Sequence, residues 1–430
     1  MKMKKLNIAI IGLGNIGSYL FRYLSENKKI LTEKNNCTPV ISYVSAKNKK
    51  RKRNLNIKKN QWLDNYLDAT KNKDVDLIVE LIGGAEGAAK KLVFNALKNG
   101  KHVVTANKAL IARYGDQLAK IAERNKVNLE FEAAVCGGVP IIRSLKEGLI
   151  ANKISKIYGI FNGTSNYILS SMDINDKNFN EVLDVAKKLG YAESNPSADL
   201  NGEDVAAKVK ILSSLCFNSF LNHNIHIEGI KDIDKNDISN ANKLGYKIKL
   251  LGYAELINNK VYQRVHPTLI KKNSYVASID GVLNAVIVEG NPVGRSTIQG
   301  EGAGPSATTS ALVSDISSVL RGNIKFPFSL SKKERKKLKF NNILNRLFSA
   351  YLRFEVLDKP GVLSNITNIF TKNNVSIKRL VQNPNKERKS SSITIITHSS
   401  KDERLRKIVK VISKKNYIKK KPTLIRIDEN

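Results

Sequence analysis

Apolar residues recur along this chain in two rhythms. Continuous runs of roughly four to eight alternate with longer segments whose apolar positions fall about three and four residues apart, the marks of buried strands and amphipathic helices. The first run, LNIAII at 6–11, leads directly into GLGNIG and a segment carrying Ile16, Leu20, Tyr23 and Leu24 on one face. That order predicts strand, glycine turn and helix. Further strands are predicted at 39–44, 75–81, 102–105 and 127–131, with helices at 62–70, 86–98 and 108–125 between them. Such alternation implies an α/β fold with a Rossmann-type, doubly wound parallel sheet. Later the pattern predicts a helix from Asn201 with the stripe Val205, Val209, Leu212 and Cys216, and strands near 246–256, 261–265 and 285–288. Its flank carries Asp204 and Lys208, four residues apart and expected to be half-buried. A basic stretch at 321–346 loses the rhythm and reads as a linker. After it the order is βαββαβ, a ferredoxin-like fold, with the first turn at 358–361 and the last strand near 423–427.

The glycine turn is the first candidate site. Gly12 makes the tight turn, Gly14 lets backbone approach a pyrophosphate, and Gly17 lets helix and strand pack closely, with the helix N-terminus facing the phosphate charge. Leu13, Asn15 and Ile16 complete this dinucleotide site. An acid is expected after the second strand to hold the ribose hydroxyls of NAD, yet the chain reads SAKNKKRKRN there. Lys47, Lys49 or Arg51 suits the 2′-phosphate of NADP instead, so the cofactor is NADP or NAD with the loop favouring NADP.

Composition narrows the class. At 430 residues the chain suggests roughly two to four domains. Hydrophobic residues at 41% and charged residues at 26% are a globular balance, and no apolar run of about 18 residues exists to span a bilayer. The apolar opening is not a secretory leader, because Gly12, Gly14 and Gly17 interrupt it. Three cysteines, Cys37, Cys136 and Cys216, make no disulfide framework and fit a reducing cytoplasm. The net charge of +35 follows from lysine abundance along nearly the whole chain, without aromatic interleaving, so no nucleic-acid or membrane partner is expected. His223 and His226, lacking a third ligand, read as surface residues rather than a metal site.

The most informative stretch is 186–208, AKKLGYAESNPSADLNGEDVAAK. Gly190 reads as a helix C-cap and Asn195-Pro196 as a turn. It resembles the signature of the homoserine dehydrogenases at eleven positions in order: Ala186, Gly190, Tyr191, Ala192, Asn195, Pro196, Asp199, Leu200, Gly202, Asp204 and Lys208. The resemblance implies that Glu193 and Asp199 hold the substrate ammonium, that Asp204 orients the reacting oxygen or its water, and that Lys208 gives the proton in aldehyde reduction. TANKAL at 105–110 resembles the family loop ending in an essential lysine, here Lys108, and places Thr105 and Lys108 near the cofactor. Either lysine can serve as the acid; the reading assigns proton transfer to Lys208 and positioning or charge stabilisation to Lys108.

FEAAVCGGVPII at 131–142 resembles the segment that wraps a monovalent cation, Na or K, through Glu132 and the carbonyls of Val135, Gly137 and Val139. Cys136, in the same loop, reads as an inert small residue rather than the nucleophile of a semialdehyde dehydrogenase. IFNGTSNYILSSM at 160–172 resembles the turn that brings Asn162, Gly163 and Thr164 to the ligands, and QGEGAGPSATTSALVSDI at 299–316 the return crossing that places Gly304 near the cofactor. LDKPGVL at 357–363 resembles the start of an ACT domain. The expected domains are a nucleotide-binding domain at 1–135 completed by 300–322, an inserted α+β catalytic and dimerisation domain at 136–299, a linker at 323–348 and an ACT domain at 349–430. A fused kinase is not expected, the chain opening on the nucleotide strand. The resemblance implies a homodimer or homotetramer and threonine as an amino-acid effector, while the ACT module alternatively serves only to dimerise. The competing readings are another oxidoreductase and a non-catalytic basic regulator.

Overall fold

The computed structural model describes residues 4–220, 223–385 and 390–428. The chain forms two compact units, one of Met1–Ile157, Ala207–Asn222 and Asn284–Leu338, the other of Tyr158–Ala206, His223–Leu283 and Lys339–Asn430.

The first unit is built on a parallel sheet in the order Thr38–Ser45, Lys5–Ile11, Leu77–Glu80, His102–Thr105, Leu129–Glu130. Its strands are apolar on both faces because helices cover both; Ile8, Ile10, Leu77 and Val79 are fully buried. The helix Asn15–Glu26 sends Leu20, Phe21 and Leu24 inward, and the late helix Pro305–Leu320 returns Leu312, Ile316, Val319 and Leu320 to the same core. The helix Lys108–Asn125 begins at Asn107, whose side chain accepts from the Leu110 amide. Two expectations need correction. The strand expected over 127–131 pairs only at Leu129–Glu130 before turning into a 3-10 turn, Glu132–Ala134. The helix expected over 62–70 is reduced to Asp68–Lys71. The Leu63 amide is instead bonded to the Val44 carbonyl, and the Asn65 side chain accepts from the Leu67 amide. Asparagine thus offers the backbone an alternative to the helix.

The second unit carries a mixed sheet. Tyr246–Ile257 pairs antiparallel with Lys260–Lys271. Lys260–Lys271 runs parallel to Thr423–Asp428, and antiparallel Leu347–Leu357, Ser390–Thr397 and Ile377–Asn385 follow in that order. The last four strands and the helices Val362–Lys372 and Asp402–Ile412 form the βαββαβ module, with Phe354, Ile366, Phe370, Ile395 and Ile408 in its core. The module is continuous with the sheet before it: Arg426, Ile427 and Asp428 lie in register with Thr268, Leu269 and Ile270. The stretch expected to be irregular also pairs briefly, Lys339–Phe340 lying parallel to Lys260 and Val261.

Buried charges reinforce this continuity. Arg353 donates to Asp237 through Nε and Nη2 at 2.6 and 3.0 Å, to Asp234 at 2.7 Å and to Glu355 at 2.7 Å. Burial pushes the Asp237 carboxyl up, and the Arg353 hydrogen bonds and charge oppose it. Removing one member of a buried pair leaves the other uncompensated. Arg353→Met is therefore expected to destabilise the protein by about 3–5 kcal/mol, read as a lowered denaturant midpoint; an unchanged midpoint would contradict the account.

Candidate active site

In the first unit the three turn glycines meet different surroundings. Gly12 has φ 111°, and a Cβ there would stand 2.4 Å from the Leu81 carbonyl oxygen. A Cβ on Gly17 would stand 2.0 Å from the Gly12 carbonyl oxygen, whereas one on Gly14 would meet nothing within 4 Å. Turn and helix packing thus need Gly12 and Gly17, while no protein atom requires glycine at position 14. No side chain caps the helix that starts at Asn15. The first-turn amides of Asn15, Ile16 and Gly17 therefore lack intrahelical partners and suit an anion.

Beside this turn lies a cavity of about 320 Å³ whose walls include Leu13, Gly14, Arg22, Arg51, Lys52 and Arg53. Arg53 donates to the carbonyls of Leu13, Arg51 and Asn48 at 2.9, 2.7 and 2.7 Å, pinning the basic loop to the glycine turn. Of the three cations suggested by sequence only Arg51 lines the cavity; Lys49 is held at 2.8 Å by Asp64. Arg22, one helical turn beyond Ser18, and Lys52 carried no signal in the sequence. Gly304, at φ 106°, starts the helix of which Pro305 also lines the cavity.

The strand ends next to the turn are organised by Glu80. Its carboxylate accepts from the Ile82 and Gly83 amides at 2.8 and 3.0 Å and from the Thr105 hydroxyl at 2.5 Å. Thr105 in turn accepts from the Asn107 amide, and the Asn107 side chain donates to the Gly84 carbonyl. Thr105 is thus fully buried within the loop that presents the half-buried Lys108 at a helix start. Sequence reasoning missed Glu80 and Asn107.

The loop with Glu132, Val135, Gly137 and Val139 is also in this unit. The Glu132 carboxylate accepts from the Ile142 and Arg143 amides at 2.8 and 2.7 Å. Burial pushes its carboxyl up to about 7, and those backbone hydrogen bonds oppose the shift. Burial and the neighbouring Glu130 and Glu132 hold Asp315 well above its usual range. Cys136 is buried at φ 58°. No disulfide joins the cysteines, and no cluster of three or more His, Cys, Asp or Glu residues suits a metal ion among the described residues. Among them, too, no helix is long and apolar enough to cross a membrane.

In the second unit the centre is Asn162, buried at the N-cap of the helix Gly163–Asn175. Its Oδ1 accepts from the Ser165 amide at 2.8 Å, which fixes the direction of its Nδ2. Nδ2 donates to Asp199 Oδ1 at 2.7 Å and to Asp204 Oδ2 at 2.9 Å. One amide therefore bridges two carboxylates of the 186–208 stretch. Gly163 is required behind it, since a Cβ would stand 2.7 Å from the Val282 carbonyl oxygen. Thr164 donates to the Tyr191 carbonyl at 2.6 Å, tying the loop of the exposed Glu193 to the same helix. Gly190, at φ 76°, follows the helix Phe179–Lys188 as its terminator.

Asp204, in the second unit, and Lys208, in the first, lie four residues apart on the helix Glu203–Phe217. Both are buried, at 4% and 8% exposure, rather than half-buried as expected. The stripe underestimated burial because the helix is enclosed almost all round, Ala206, Ile211 and Ser213 included. His226 is not a plain surface residue either: it contacts Glu228 at 3.0 Å and Arg406 at 2.7 Å, while His223 stacks on Phe340.

Known proteins resemble this chain along its whole length. A model of the homoserine dehydrogenase family matches 140–317, a model of the homoserine dehydrogenase NAD-binding domain matches 12–132, and an ACT-domain model matches 350–415. A homoserine dehydrogenase of Neisseria gonorrhoeae is 37% identical, with 99% of each chain covered. The chain belongs to the homoserine dehydrogenase family. A Bacillus subtilis homoserine dehydrogenase is 33% identical over 100% of this chain and 99% of its own. The crystal structure of a homoserine dehydrogenase from Thiobacillus denitrificans superposes with a TM-score of 0.91 at 35% identity, covering 99% of both chains. The chain is accordingly an NAD(P)-dependent oxidoreductase acting on a CH–OH group, and its nucleotide-binding domain and ACT module follow from the same matches.

The glycine turn yields a paired test. Gly14→Ala is expected to leave thermal stability nearly unchanged yet weaken dinucleotide binding by at least about tenfold, measured by fluorescence titration. Gly17→Ala, whose Cβ meets backbone, is expected to lower the melting temperature as well. Equal behaviour of the two would refute the distinction.

Proposed function

We propose that the enzyme interconverts L-homoserine and L-aspartate 4-semialdehyde, with Lys208 as the proton donor during aldehyde reduction. The Asn162 bridge between Asp199 and Asp204, with Lys208 one turn farther along the helix of Asp204, carries this reading. In it Glu193 and Asp199 hold the substrate ammonium, an attraction strengthened by partial burial of Asp199. Asp204 orients the reacting oxygen or its water. Lys208 delivers a proton to that oxygen as the carbonyl becomes an alkoxide, and takes it back in the oxidative direction. Lys108 supplies positioning and positive charge. When bound, the nicotinamide cofactor supplies or accepts the hydride. Gly12 to Gly17 and Gly304 would cradle the dinucleotide, with Thr105 shaping the loop that carries Lys108.

Cofactor choice follows from the basic cavity. Arg22, Arg51, Lys52 and Arg53 stand where the sequence lacks an acid for ribose hydroxyls, and their charge suits a 2′-phosphate. We therefore favour NADP over NAD. Glu132 with the carbonyls of Val135, Gly137 and Val139 would hold a sodium or potassium ion. Each of these oxygens has a second lone pair, so the hydrogen bonds already made to Glu132 and Val139 leave capacity for a hard cation. The buried Cys136 argues against the thiolate chemistry of a semialdehyde dehydrogenase.

The same reading places the enzyme in the cytoplasm as a homodimer or homotetramer, in threonine, methionine and isoleucine biosynthesis. Threonine is the proposed effector of the ACT module, where Gly361, at φ 84°, opens the helix Val362–Lys372 towards a ligand carboxylate.

Lys208→Ala is expected to lower kcat for semialdehyde reduction by about 10²–10⁴-fold with NADPH affinity unchanged, followed as absorbance at the nicotinamide band. Full activity in this variant, alongside loss in Lys108→Ala, would move the proton transfer to Lys108. Titration calorimetry of threonine into the whole enzyme is expected to give saturable heat; its absence would discard threonine as effector.

A further inference from the structure

Glu228 lies in the second unit between two arginines of the C-terminal module. Its carboxylate accepts from Arg426 Nη1 and Nη2 at 2.7 and 3.1 Å and from Arg406 Nη2 at 2.6 Å. Both arginines return to Asp402, Arg426 Nε at 2.6 Å and Arg406 Nε at 2.5 Å. Two acids and two arginines thus close a ring, with Asp402 and Arg426 fully buried. His226 approaches Glu228 from the remaining side at 3.0 Å. Burial alone would raise the Glu228 carboxyl, but the hydrogen bond from His226 and the charge of Arg426 hold it well below the usual carboxylate range.

The backbone next to Glu228 lies directly against the substrate loop. The Ile230 amide donates to the Leu200 carbonyl at 2.9 Å. A Cβ on Gly229 would stand 2.2 Å from that oxygen and 2.7 Å from Asn201 Cα. A Cβ on Gly202 would touch Ile227, Val265 and the Glu228 carbonyl oxygen. Leu200 to Gly202 join Asp199 to the helix of Asp204, so a shift at Glu228 has no slack in which to dissipate before it reaches the two carboxylates.

We propose that Glu228 is a positioning residue for substrate binding: through Gly229 and Leu200 it sets Asp199 and Asp204, and through Arg406 and Arg426 it ties their position to the C-terminal module. The proposal rests on the reading that Asp199 and Asp204 serve the substrate. With the charge of Glu228 removed, two arginines face Asp402 alone, and segment 227–230 loses the attraction that holds it to the module.

The test compares wild type, Glu228→Gln, Glu228→Asp and Arg406→Gln in the full-length enzyme, each checked for a cooperative thermal transition. Glu228→Gln is expected to raise KM for homoserine by about tenfold or more, with kcat within about threefold and the cofactor KM unchanged. Glu228→Asp should recover part of the loss. Arg406→Gln, at a partly exposed position that leaves Arg426 and Glu228 paired, should raise KM by about threefold. A smaller folded fraction would lower apparent kcat and leave KM alone, so that result overturns the proposal, as does an unchanged KM in both Glu228→Gln and Arg406→Gln. If Glu228→Gln does not fold, Arg406→Gln decides by the same criterion. A wild-type enzyme without homoserine oxidation removes the parent reading, and this one with it; an active wild type with unmoved variants removes this one alone.

Discussion

The arrangement of the second unit depends on one strand pairing. Thr423–Asp428 is an edge strand of the βαββαβ module, and an edge with unpaired backbone groups seeks a partner. Here it finds Lys260–Lys271 of the same chain, in parallel register from Arg426 opposite Thr268 to Asp428 opposite Ile270. A module expected from sequence as an appendage behind a linker is thereby built into a sheet shared with the catalytic segments. The pairing also explains why charges are buried on this part of the chain. Arg353 reaches Asp237 at the start of the helix Lys235–Lys243, and Arg426 reaches Glu228, each from a strand of the module to a segment preceding Tyr246. Buried ion pairs are weak devices for stability but strong ones for geometry, because a displaced partner leaves a charge uncompensated. A single orientation of module and sheet satisfies both pairs.

The nucleotide-binding unit was the more legible part, for steric reasons. A phosphate turn needs glycine at particular positions, and the backbone oxygens beside Gly12 and Gly17 show why no other residue fits. The strands buried on both faces left apolar runs that any reading detects, and the helix Lys108–Asn125 was marked by its long periodic stripe, although its Asn107 cap went unread. Failures fell where local side-chain hydrogen bonds compete with the helix, as at Asn65, or where pairing stops short, as after Glu130. The basic loop was legible as basic, but which cation faces the cavity depends on Arg53 folding back on three carbonyls and Asp64 drawing Lys49 aside. Those are contacts of conformation, without a spacing rule to read.

The same divide runs through the residues of the proposed catalytic site. Asp204 and Lys208 were singled out through an eleven-position resemblance, yet their burial was underestimated. A hydrophobic stripe describes a helix with one wet face; the helix Glu203–Phe217 has almost none, and serines such as Ser213 and Ser214 take part in its enclosure. Asn162 was visible as a residue before a helix, but its bridging role was not, because Asp199 and Asp204 lie 37 and 42 residues away.

That bridge shows how one amide can keep a carboxylate pair together. Two anions at hydrogen-bonding distance from one nitrogen repel each other, and the repulsion grows as water is excluded. The Asn162 amide meets it with two N–H groups, aimed by a helix cap that leaves its oxygen committed to the Ser165 amide. Asp204 in addition sits in the first turn of the helix Glu203–Phe217, where the backbone dipole favours negative charge. Glutamine would overshoot the cap, and aspartate would bring a third anion in place of the donors. An asparagine at this N-cap is therefore a consequence of the charge it must serve: it supplies an acceptor to the helix behind and donors to the acids in front.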